Sequence, residues 1–319
     1  MAKKFLIKII LFIIIIGLGS TLLSFAIDNG LRNSNYSYYA QWNDLFQSKI
    51  NADLLIIGSS RARQHFSTGV FDSALGLNSY VFGIEAYRFR MYYDLFQIYL
   101  HHNIKPEYLV ISLDIYTLHE DSNSYYYQQF LPYLDEPDIL NAYKSYKHSF
   151  TIGDRFLPLY KYRGNRTQIA VGLLEYIGLR HYPLLTRKGF SAFQKNWDQS
   201  FETFQKQNES SHHQKIDQPD IDLLQDLLIQ CNRQGIKVIL VFSPEFIGYQ
   251  NIVTNRDEII DLYHSISKKY SCYFFDFSRS SICKDTAFFY NSQHMNSKGS
   301  LIFSQDLATV LKTTISCVK

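Results

Sequence analysis

The clearest feature of the hydropathy pattern is an uninterrupted apolar run near the start of the chain. Residues 9–27, IILFIIIIGLGSTLLSFAI, carry no charge, and Lys3, Lys4 and Lys8 precede them. A helix rises about 1.5 Å per residue, so this run would measure about 28 Å, close to the roughly 30 Å hydrocarbon core of a bilayer. The pattern therefore predicts that residues 1–27 form a cytoplasmic stub and a transmembrane anchor.

The lysines before the run also predict an orientation. Positive charge stays on the cytoplasmic side, so the rest of the chain is expected to be extracytoplasmic, in a single-pass protein of the cell membrane. A cleaved signal peptide is the alternative, because Ser24-Phe25-Ala26 resembles a small-x-small cleavage site. The apolar run is longer than a usual signal core, which favours the uncleaved anchor. In both interpretations, the residues after the apolar run are exported across the membrane.

Beyond a polar and aromatic connector at residues 28–51, short apolar runs alternate with longer amphipathic stretches. The short runs predict strands at 53–57, 78–82, 108–113, 237–242 and 272–277. The amphipathic stretches predict helices at 62–75, 87–102, 220–234, 257–269 and 297–312. Continuous apolar strands separated by helices indicate a mostly parallel sheet covered on both faces. Residues 52–316 are thus expected to form an α/β domain, a three-layer α/β/α sandwich around a five-stranded sheet.

Residues 115–219 interrupt this alternation. The segment is rich in Tyr, Gln, Ser and Lys, with weak helical patterns at 138–150 and 167–179 and no convincing buried strand. We interpret it as a helical and loop insertion between the third and fourth strands. Such an insertion is a common source of a cap over an active site.

Composition and charge narrow the functional classes. Hydrophobic residues make up 46% and charged residues 19% of the chain, as in ordinary globular proteins. Without the three N-terminal lysines, 29 basic residues face 29 acidic ones. A neutral domain without a basic stripe is a poor binder of nucleic acid.

The four cysteines do not have the spacing of a zinc site, and we expect neither a metal nor a cofactor. They are Cys231, Cys272, Cys283 and Cys317. Outside the cytoplasm a disulfide such as Cys272–Cys283 is one interpretation. Buried free thiols are the other.

A candidate nucleophile follows the first predicted strand. Gly58-Ser59-Ser60-Arg61 lies where an α/β sheet places its chemistry, at the carboxyl end of a strand and the start of a helix. A serine there can simply cap the helix. The same position offers exposed backbone N–H groups that stabilise an alkoxide or oxyanion.

A serine needs a base to become nucleophilic, and the C-terminal segment supplies one. His294 lies in the polar stretch FYNSQHMNSKG, after the last predicted strand and before the last predicted helix. A lone histidine in a loop can be a surface residue. Its position at the same edge of the sheet favours the catalytic interpretation.

The strand–Gly-x-Ser–helix start, together with a late histidine before a final helix, resembles the SGNH/GDSL hydrolase superfamily. The Gly-Ser-Ser-Arg form is most similar to its membrane-anchored bacterial branch, which includes proteins of D-alanyl-lipoteichoic acid biosynthesis and polysaccharide O-acetylation. The resemblance spans roughly residues 52–114 and 219–316. It implies an SGNH or flavodoxin-like sheet and chemistry on ester bonds.

The resemblance also implies roles for individual residues. Ser60 matches the nucleophile and His294 the general base, while Ser59 occupies the place of the family's Asp. Gly83, at the end of the second strand, resembles the glycine of the second block, whose N–H would join that of Ser60 in an oxyanion hole. The third block, Gly-x-Asn-Asp, is replaced by Ser112-Leu113-Asp114. Asp114 is thus a pocket candidate by position alone.

The main departure from the family is Asn291, which stands where its acid precedes the histidine by three residues. An asparagine can orient a histidine but does not stabilise an imidazolium as a carboxylate does. The expected alternatives are a Ser-His dyad, recruitment of another acid such as Asp285 or Glu245, or an inactive site. Arg61 is expected to hold a substrate carboxylate or phosphate, or to form a salt bridge. His65, one turn beyond Ser60, is a candidate for lining the cleft.

These observations predict an anchored serine esterase or O-acyltransferase, working through an acyl-serine on cell-envelope glycan or lipid-linked acyl groups. The substrate class is implied by the resemblance. A non-catalytic envelope protein that binds glycan or a membrane acyltransferase partner is the alternative. A metal-dependent hydrolase is a third interpretation, for which the sequence offers no cluster of ligands.

Overall fold

A computed structural model describes residues 2–119, 126–144, 146, 150–207 and 211–316. The chain divides into two compact units. One unit, called the helical unit here, comprises residues 1–47 and 122–185. The other, called the sheet unit, comprises residues 48–121 and 186–319.

The sheet unit is built on one parallel sheet of five strands within the described residues, which confirms the predicted fold class. The strand order is β2-β1-β3-β4-β5, and each neighbouring pair is parallel. Two strands have the predicted bounds, and the other three differ by one residue at both ends. The strands are β1 Leu54–Gly58, β2 Ser79–Gly83, β3 Tyr108–Leu113, β4 Lys237–Phe242 and β5 Tyr273–Asp276.

The central strands are buried on both faces, which is why their sequences are continuously apolar. Alternate residues such as Ile56, Val110 and Val241 point into one core cluster. The same cluster contains Phe71 and Phe303, which lie on helices of the covering layer.

Helices occupy both faces of the sheet and form most of the described part of the helical unit. In chain order they are α1 Ala2–Arg32, α2 Tyr39–Phe46, α3 Ser60–His65, α4 Thr68–Leu75, α5 Phe89–His102, α6 Pro137–Tyr143, α7 Ile152–Phe156, α8 Arg166–Tyr176, α9 Ser200–Gln207, α10 Gln218–Arg233, α11 Ile247–Gln250, α12 Arg256–Lys269 and α13 Ser297–Ser316. Helices α4 and α13 pack together, whereas α5, α10 and α12 contact the sheet through β1, β4 and β5.

The single helix predicted at 62–75 is two helices, α3 and α4, because the chain turns at Phe66 and Ser67. The Phe66 ring is fully buried against Phe303, and the Ser67 amide donates to Ser304 Oγ over 2.8 Å. Tertiary contacts of this kind override the helical propensity of a continuous pattern. The break leaves α3 as a short helix whose first residue is Ser60.

In the helical unit, α1 continues without interruption beyond the apolar run, so the predicted boundary at residues 27 and 28 lies inside one helix. It is also the one helix among the described residues that is long and apolar enough to cross a membrane. Its last turns pack on α8 at Gly30 and Gly172. A Cβ on Gly30 would lie 1.8 Å from the Gly172 carbonyl oxygen, so the two backbones meet where only glycine fits.

The predicted connector and insertion are more structured than their sequences indicate. The connector contains α2, and the two weak helical patterns are α6 and α8 with shorter bounds. Residues 145 and 147–149 of the first pattern lie outside the described residues. Residues 186–219 belong to the sheet unit.

Three of the four cysteines are free thiols: Cys231, Cys272 and Cys283. The disulfide between Cys272 and Cys283 is therefore absent from the structure. Burial raises the pKa of the Cys283 thiol to about 11, which makes it unreactive at neutral pH. Cys317 lies outside the described residues.

Candidate active site

The structure brings Ser60 and His294 together, although 234 residues separate them in sequence. Ser60 is the first residue of α3, directly after β1, and its Oγ lies 2.8 Å from His294 Nε2. Ser59 is the N-cap, whose side chain accepts the amide of Arg61. The capping role and the reactive position thus belong to adjacent serines.

His294 is placed by a small hairpin rather than by the open loop that the sequence indicates. Strands β6 Phe289–Asn291 and β7 His294–Met295 pair in antiparallel fashion, with Asn291 opposite His294. The Asn291 Oδ1 atom accepts the backbone amides of Gln293 and His294 at 3.1 and 3.0 Å. The same oxygen lies 3.0 Å from His294 Nδ1.

This arrangement fixes the tautomer of His294. Because Asn291 Oδ1 already accepts two backbone amides, the atom facing the ring is an acceptor and His294 Nδ1 must carry the proton. The lone pair of Nε2 then faces the Ser60 hydroxyl, which donates to it. The pair therefore has the protonation that a general base requires.

The electrostatics of the site keep the ring neutral. Burial and, to a lesser degree, the positive charge of Arg61 lower the pKa of His294 to about 4, and the negative charge of Asp114 partly opposes the shift. The imidazole is thus neutral and able to accept a proton at neutral pH. It is also a weaker base than a histidine whose partner is a carboxylate.

Tyr290, which the sequence does not single out, packs its ring on that of His294. The Tyr290 ring stacks on the His294 ring with a centroid distance of 5.5 Å and an interplanar angle of 12°. Its hydroxyl donates to Gln64 Oε1 over 2.7 Å, and Phe193 packs edge-on against the same ring. The stack holds the imidazole plane in place beside Ser60.

His65 supports the hairpin from within the core and does not line an open cleft. It is fully buried, its Nε2 accepts the Met295 amide over 3.0 Å, and its Nδ1 lies 2.9 Å from Ser243 Oγ. Burial lowers the pKa of His65 well below its ordinary value, and the charge of Arg61 adds to the shift. A neutral His65 therefore holds the residue next to His294.

Arg61 forms the salt bridge that the sequence offers as an alternative to substrate binding. Its side chain is only 4% exposed, and Nη1 lies 2.9 Å from Glu245 Oε2. The guanidinium also donates to the hydroxyl and carbonyl oxygens of Ser243. Glu245, which is fully buried, pairs with Arg256 through its other oxygen. Both residues are thus occupied in the interior, which argues against Arg61 as a substrate-binding group and against Glu245 as a second catalytic acid.

Asp114 lies close to the serine motif, at the end of β3. Its Oδ2 accepts the Ser59 hydroxyl over 3.2 Å, and its Oδ1 accepts the Tyr116 amide over 2.7 Å. The carboxylate is buried, and it contacts the serine next to Ser60. Asp285, the other acid considered from the sequence, is exposed and caps a short 3₁₀ turn at Ala287.

Gly83 is a site of close packing between β2 and α3. A Cβ there would lie 2.5 Å from the Arg63 amide nitrogen and 2.8 Å from the Ser59 carbonyl oxygen. Both atoms belong to the backbone that positions Ser60, so they cannot move aside without moving Ser60 itself. The packing therefore requires a glycine at position 83, whether or not its amide donates a hydrogen bond to an oxyanion.

Substituting Gly83 with alanine is expected to displace α3 and slow the reaction of Ser60 with an acylating probe. The overpacking should also cost about 1–3 kcal/mol of unfolding free energy. Labelling rates and thermal melts measure the two effects. Gly235→Ala is the control: its φ of +73° strains alanine, but open space surrounds it. That variant should lose stability and keep its labelling rate, whereas unchanged labelling in Gly83→Ala would contradict the expectation.

Within the described residues, no group of three or more His, Cys, Asp or Glu side chains is arranged to hold a metal ion.

No protein-family model matches the chain, and no curated protein matches it. Solved structures similar to it include a GDSL-like lipase from Bacteroides thetaiotaomicron, at 11% identity and a TM-score of 0.37, covering 83% of this chain and 88% of the other. An acetylxylan esterase from Geobacillus stearothermophilus has 13% identity and a TM-score of 0.39, covering 81% and 92%.

An α/β hydrolase enzyme from the metagenome of Lake Arreo in Spain has 12% identity and a TM-score of 0.39, covering 82% of this chain and 94% of the other. By their descriptions these neighbours are a lipase of the GDSL kind, an esterase and a hydrolase.

Proposed function

We propose that this chain is a serine hydrolase or acyltransferase of the SGNH/GDSL type, with Ser60 as nucleophile and His294 as general base. The observation that carries the proposal is the 2.8 Å contact between Ser60 Oγ and His294 Nε2, with Asn291 holding the proton on Nδ1. A nucleophile, a base and a group that orients the base are thus joined in series. Ser60 and His294 are both partly exposed, so a substrate can reach them.

The reaction begins when Ser60 Oγ attacks the carbonyl carbon of an ester and His294 Nε2 takes the hydroxyl proton. The amides of Ser60 and Gly83 are the proposed donors to the oxyanion. Collapse of the tetrahedral intermediate breaks the bond to the leaving alcohol, which takes the proton from His294. Water or a sugar hydroxyl then attacks the acyl-serine, again with His294 as base, and restores Ser60.

Labelling with a fluorophosphonate probe tests this proposal. The full chain in detergent is expected to react, and Ser60→Ala to show no labelling, because the probe needs a nucleophilic serine. Ser59→Ala is the matched control: it removes the N-cap hydroxyl and its hydrogen bond to Asp114, at a cost of about 1–3 kcal/mol, and should still be labelled. Labelling that persists in Ser60→Ala, or none in the folded chain, would remove the enzyme proposal.

A non-catalytic envelope protein is the second candidate, and Asn291 is the observation that favours it. An amide leaves the imidazolium without the charge that a carboxylate supplies, and the pKa of His294 is already low. A folded chain that resists the probe and still binds an acylated glycan would support this candidate.

The proposed location is the outer face of the cell membrane, with α1 as an uncleaved anchor. The support is the apolar run of α1, with lysines on one side only. A tethered enzyme fits a substrate that is held at the membrane surface, such as envelope glycan or a lipid-linked acyl donor. A membrane acyltransferase is a fitting partner. Retention in the membrane pellet after alkaline carbonate extraction tests the anchor.

A further inference from the structure

The helical unit exposes large apolar side chains beside α1. In α7 and the residue after it, Ile152, Phe156 and Leu157 are 81%, 67% and 57% exposed. After α8, Ile177 and Leu179 are 59% and 74% exposed. Soluble surfaces seldom group so many large apolar residues, and such groups mark contacts with a protein or a membrane.

These residues lie level with the end of the apolar run of α1. Phe156 and Leu157 line a cavity of about 560 Å³ together with Thr21 and Phe25. The Phe25 ring packs edge-on against Tyr176, with a centroid distance of 6.3 Å. Because the apolar run ends at residue 27, the exposed side chains are held next to its last two turns.

Charged residues beside each group match the region where lipid headgroups would lie. Arg155 precedes Phe156, and Arg180 follows Leu179; both are exposed. Lys161 forms an ion pair with Asp28, the first charged residue after the apolar run, over 2.8 Å. Apolar side chains bordered by arginine are typical of protein surfaces that rest in the interface of a bilayer containing anionic lipid.

We propose that the helical unit docks on the outer leaflet, with Phe156, Leu157 and Leu179 inserted between the lipid headgroups around α1. The inference rests on the proposed membrane anchor, because α1 sets the depth of these residues. The proposed occupant of the apolar surface is lipid itself, rather than a second copy of the chain or a partner protein. Docking would hold the helical unit directly against the bilayer surface, with contacts to lipid in addition to those of α1.

Tryptophan quenching in reconstituted vesicles tests this contact. The full chain carrying Phe156→Trp or Leu179→Trp is placed in phosphatidylcholine–phosphatidylglycerol vesicles, with or without lipid brominated near the headgroup. The signal above that of the unsubstituted chain is expected to be mostly lost with brominated lipid and to be insensitive to aqueous iodide. No other protein is present, so quenching by bromine identifies lipid as the neighbour.

Tyr126→Trp is the matched control within the same unit. Tyr126 is 45% exposed, does not line the cavity beside Phe156, and packs its ring against Tyr38, which follows the end of α1. The tryptophan introduced there should respond to iodide rather than to brominated lipid.

Two outcomes would overturn the docking proposal. In the first, the tryptophans introduced by Phe156→Trp and Leu179→Trp respond like the one introduced by Tyr126→Trp. In the second, another copy of the chain shields them from both quenchers. Carbonate extraction of the same variants reports the anchor separately. A Phe156→Trp chain that is retained in the membrane but quenched by iodide would overturn docking alone.

Discussion

Replacing Asn291 with aspartate is expected to raise kcat/KM for ester hydrolysis by roughly ten- to a hundredfold. Removing the corresponding carboxylate from a serine protease costs about 10⁴, partly because the amide selects the wrong tautomer. Here the tautomer is already right, since Asn291 Oδ1 accepts three N–H groups. The aspartate should therefore add only the charge stabilisation of the imidazolium.

The same substitution should move the acid limb of the pH–rate profile upward. In the natural chain the neutral, active form of His294 prevails above its pKa of about 4, so activity should fall only as the pH drops through that value. A carboxylate next to the ring favours the protonated form and should raise this limb by about one to three pH units. Steady-state kinetics from about pH 3 to about pH 8 would show the shift.

Two further variants separate the charge of the aspartate from its other effects. Asn291→Ala should lower the activity, because it frees the ring and leaves the amides of Gln293 and His294 without their acceptor. Asn291→Asp in a His294→Ala background should give no gain. If the aspartate variant folds and changes neither the rate nor the acid limb, the role assigned to Asn291 is wrong.

Replacing Glu245 with alanine is expected to lower the unfolding free energy by about 3–5 kcal/mol, because it leaves buried cationic charge unpaired. Glu245 is fully buried and bridges Arg61 and Arg256, whose side chains are 4% and 7% exposed. Arg61 is adjacent to Ser60, so the probe-labelling rate should also fall. Denaturant titration of the full chain in detergent, followed by fluorescence, measures the stability change.

An exposed ion pair supplies the control for this loss. Asp257 and Arg279 are 84% and 72% exposed and lie 3.4 Å apart. Asp257→Ala should cost less than about 1 kcal/mol, since solvent screens such pairs. Equal losses in the two variants would show that the buried bridge contributes no more than a surface pair.

The sheet could be predicted from sequence because its strands are buried on both faces. β3 and β4 have the predicted bounds, since YLVISL and KVILVF are short continuous apolar runs, long enough for a buried strand and too short for a helix. The break between α3 and α4 could not be predicted in the same way. It depends on Phe66 and Ser67 meeting α13, which follows more than 200 residues later in the chain.

The candidate site shows the same contrast between local sequence signals and contacts between distant residues. Ser60 and His294 can be found from sequence because each lies at a local signal, the end of a strand and the approach to a final helix. Tyr290 and the supporting role of His65 escape such reasoning, since a stacked tyrosine and a buried histidine have no local signature. Arg61 follows Ser60 directly in the sequence, but its partner Glu245 is 184 residues away. The burial of Arg61 therefore cannot be predicted from the Gly-Ser-Ser-Arg motif.

The uninterrupted course of α1 has a mechanical consequence. The helix runs from Ala2 to Arg32 and packs against α8 near its end, where Gly30 meets Gly172. Because the spanning segment and the helical unit share this one helix, a bilayer would fix both the height of the unit above the membrane and its rotation about the helix axis. Each residue inserted ahead of these contacts, for example after Leu18, would raise the unit by about 1.5 Å and turn it by about 100°, so two insertions would rotate it by more than half a circle.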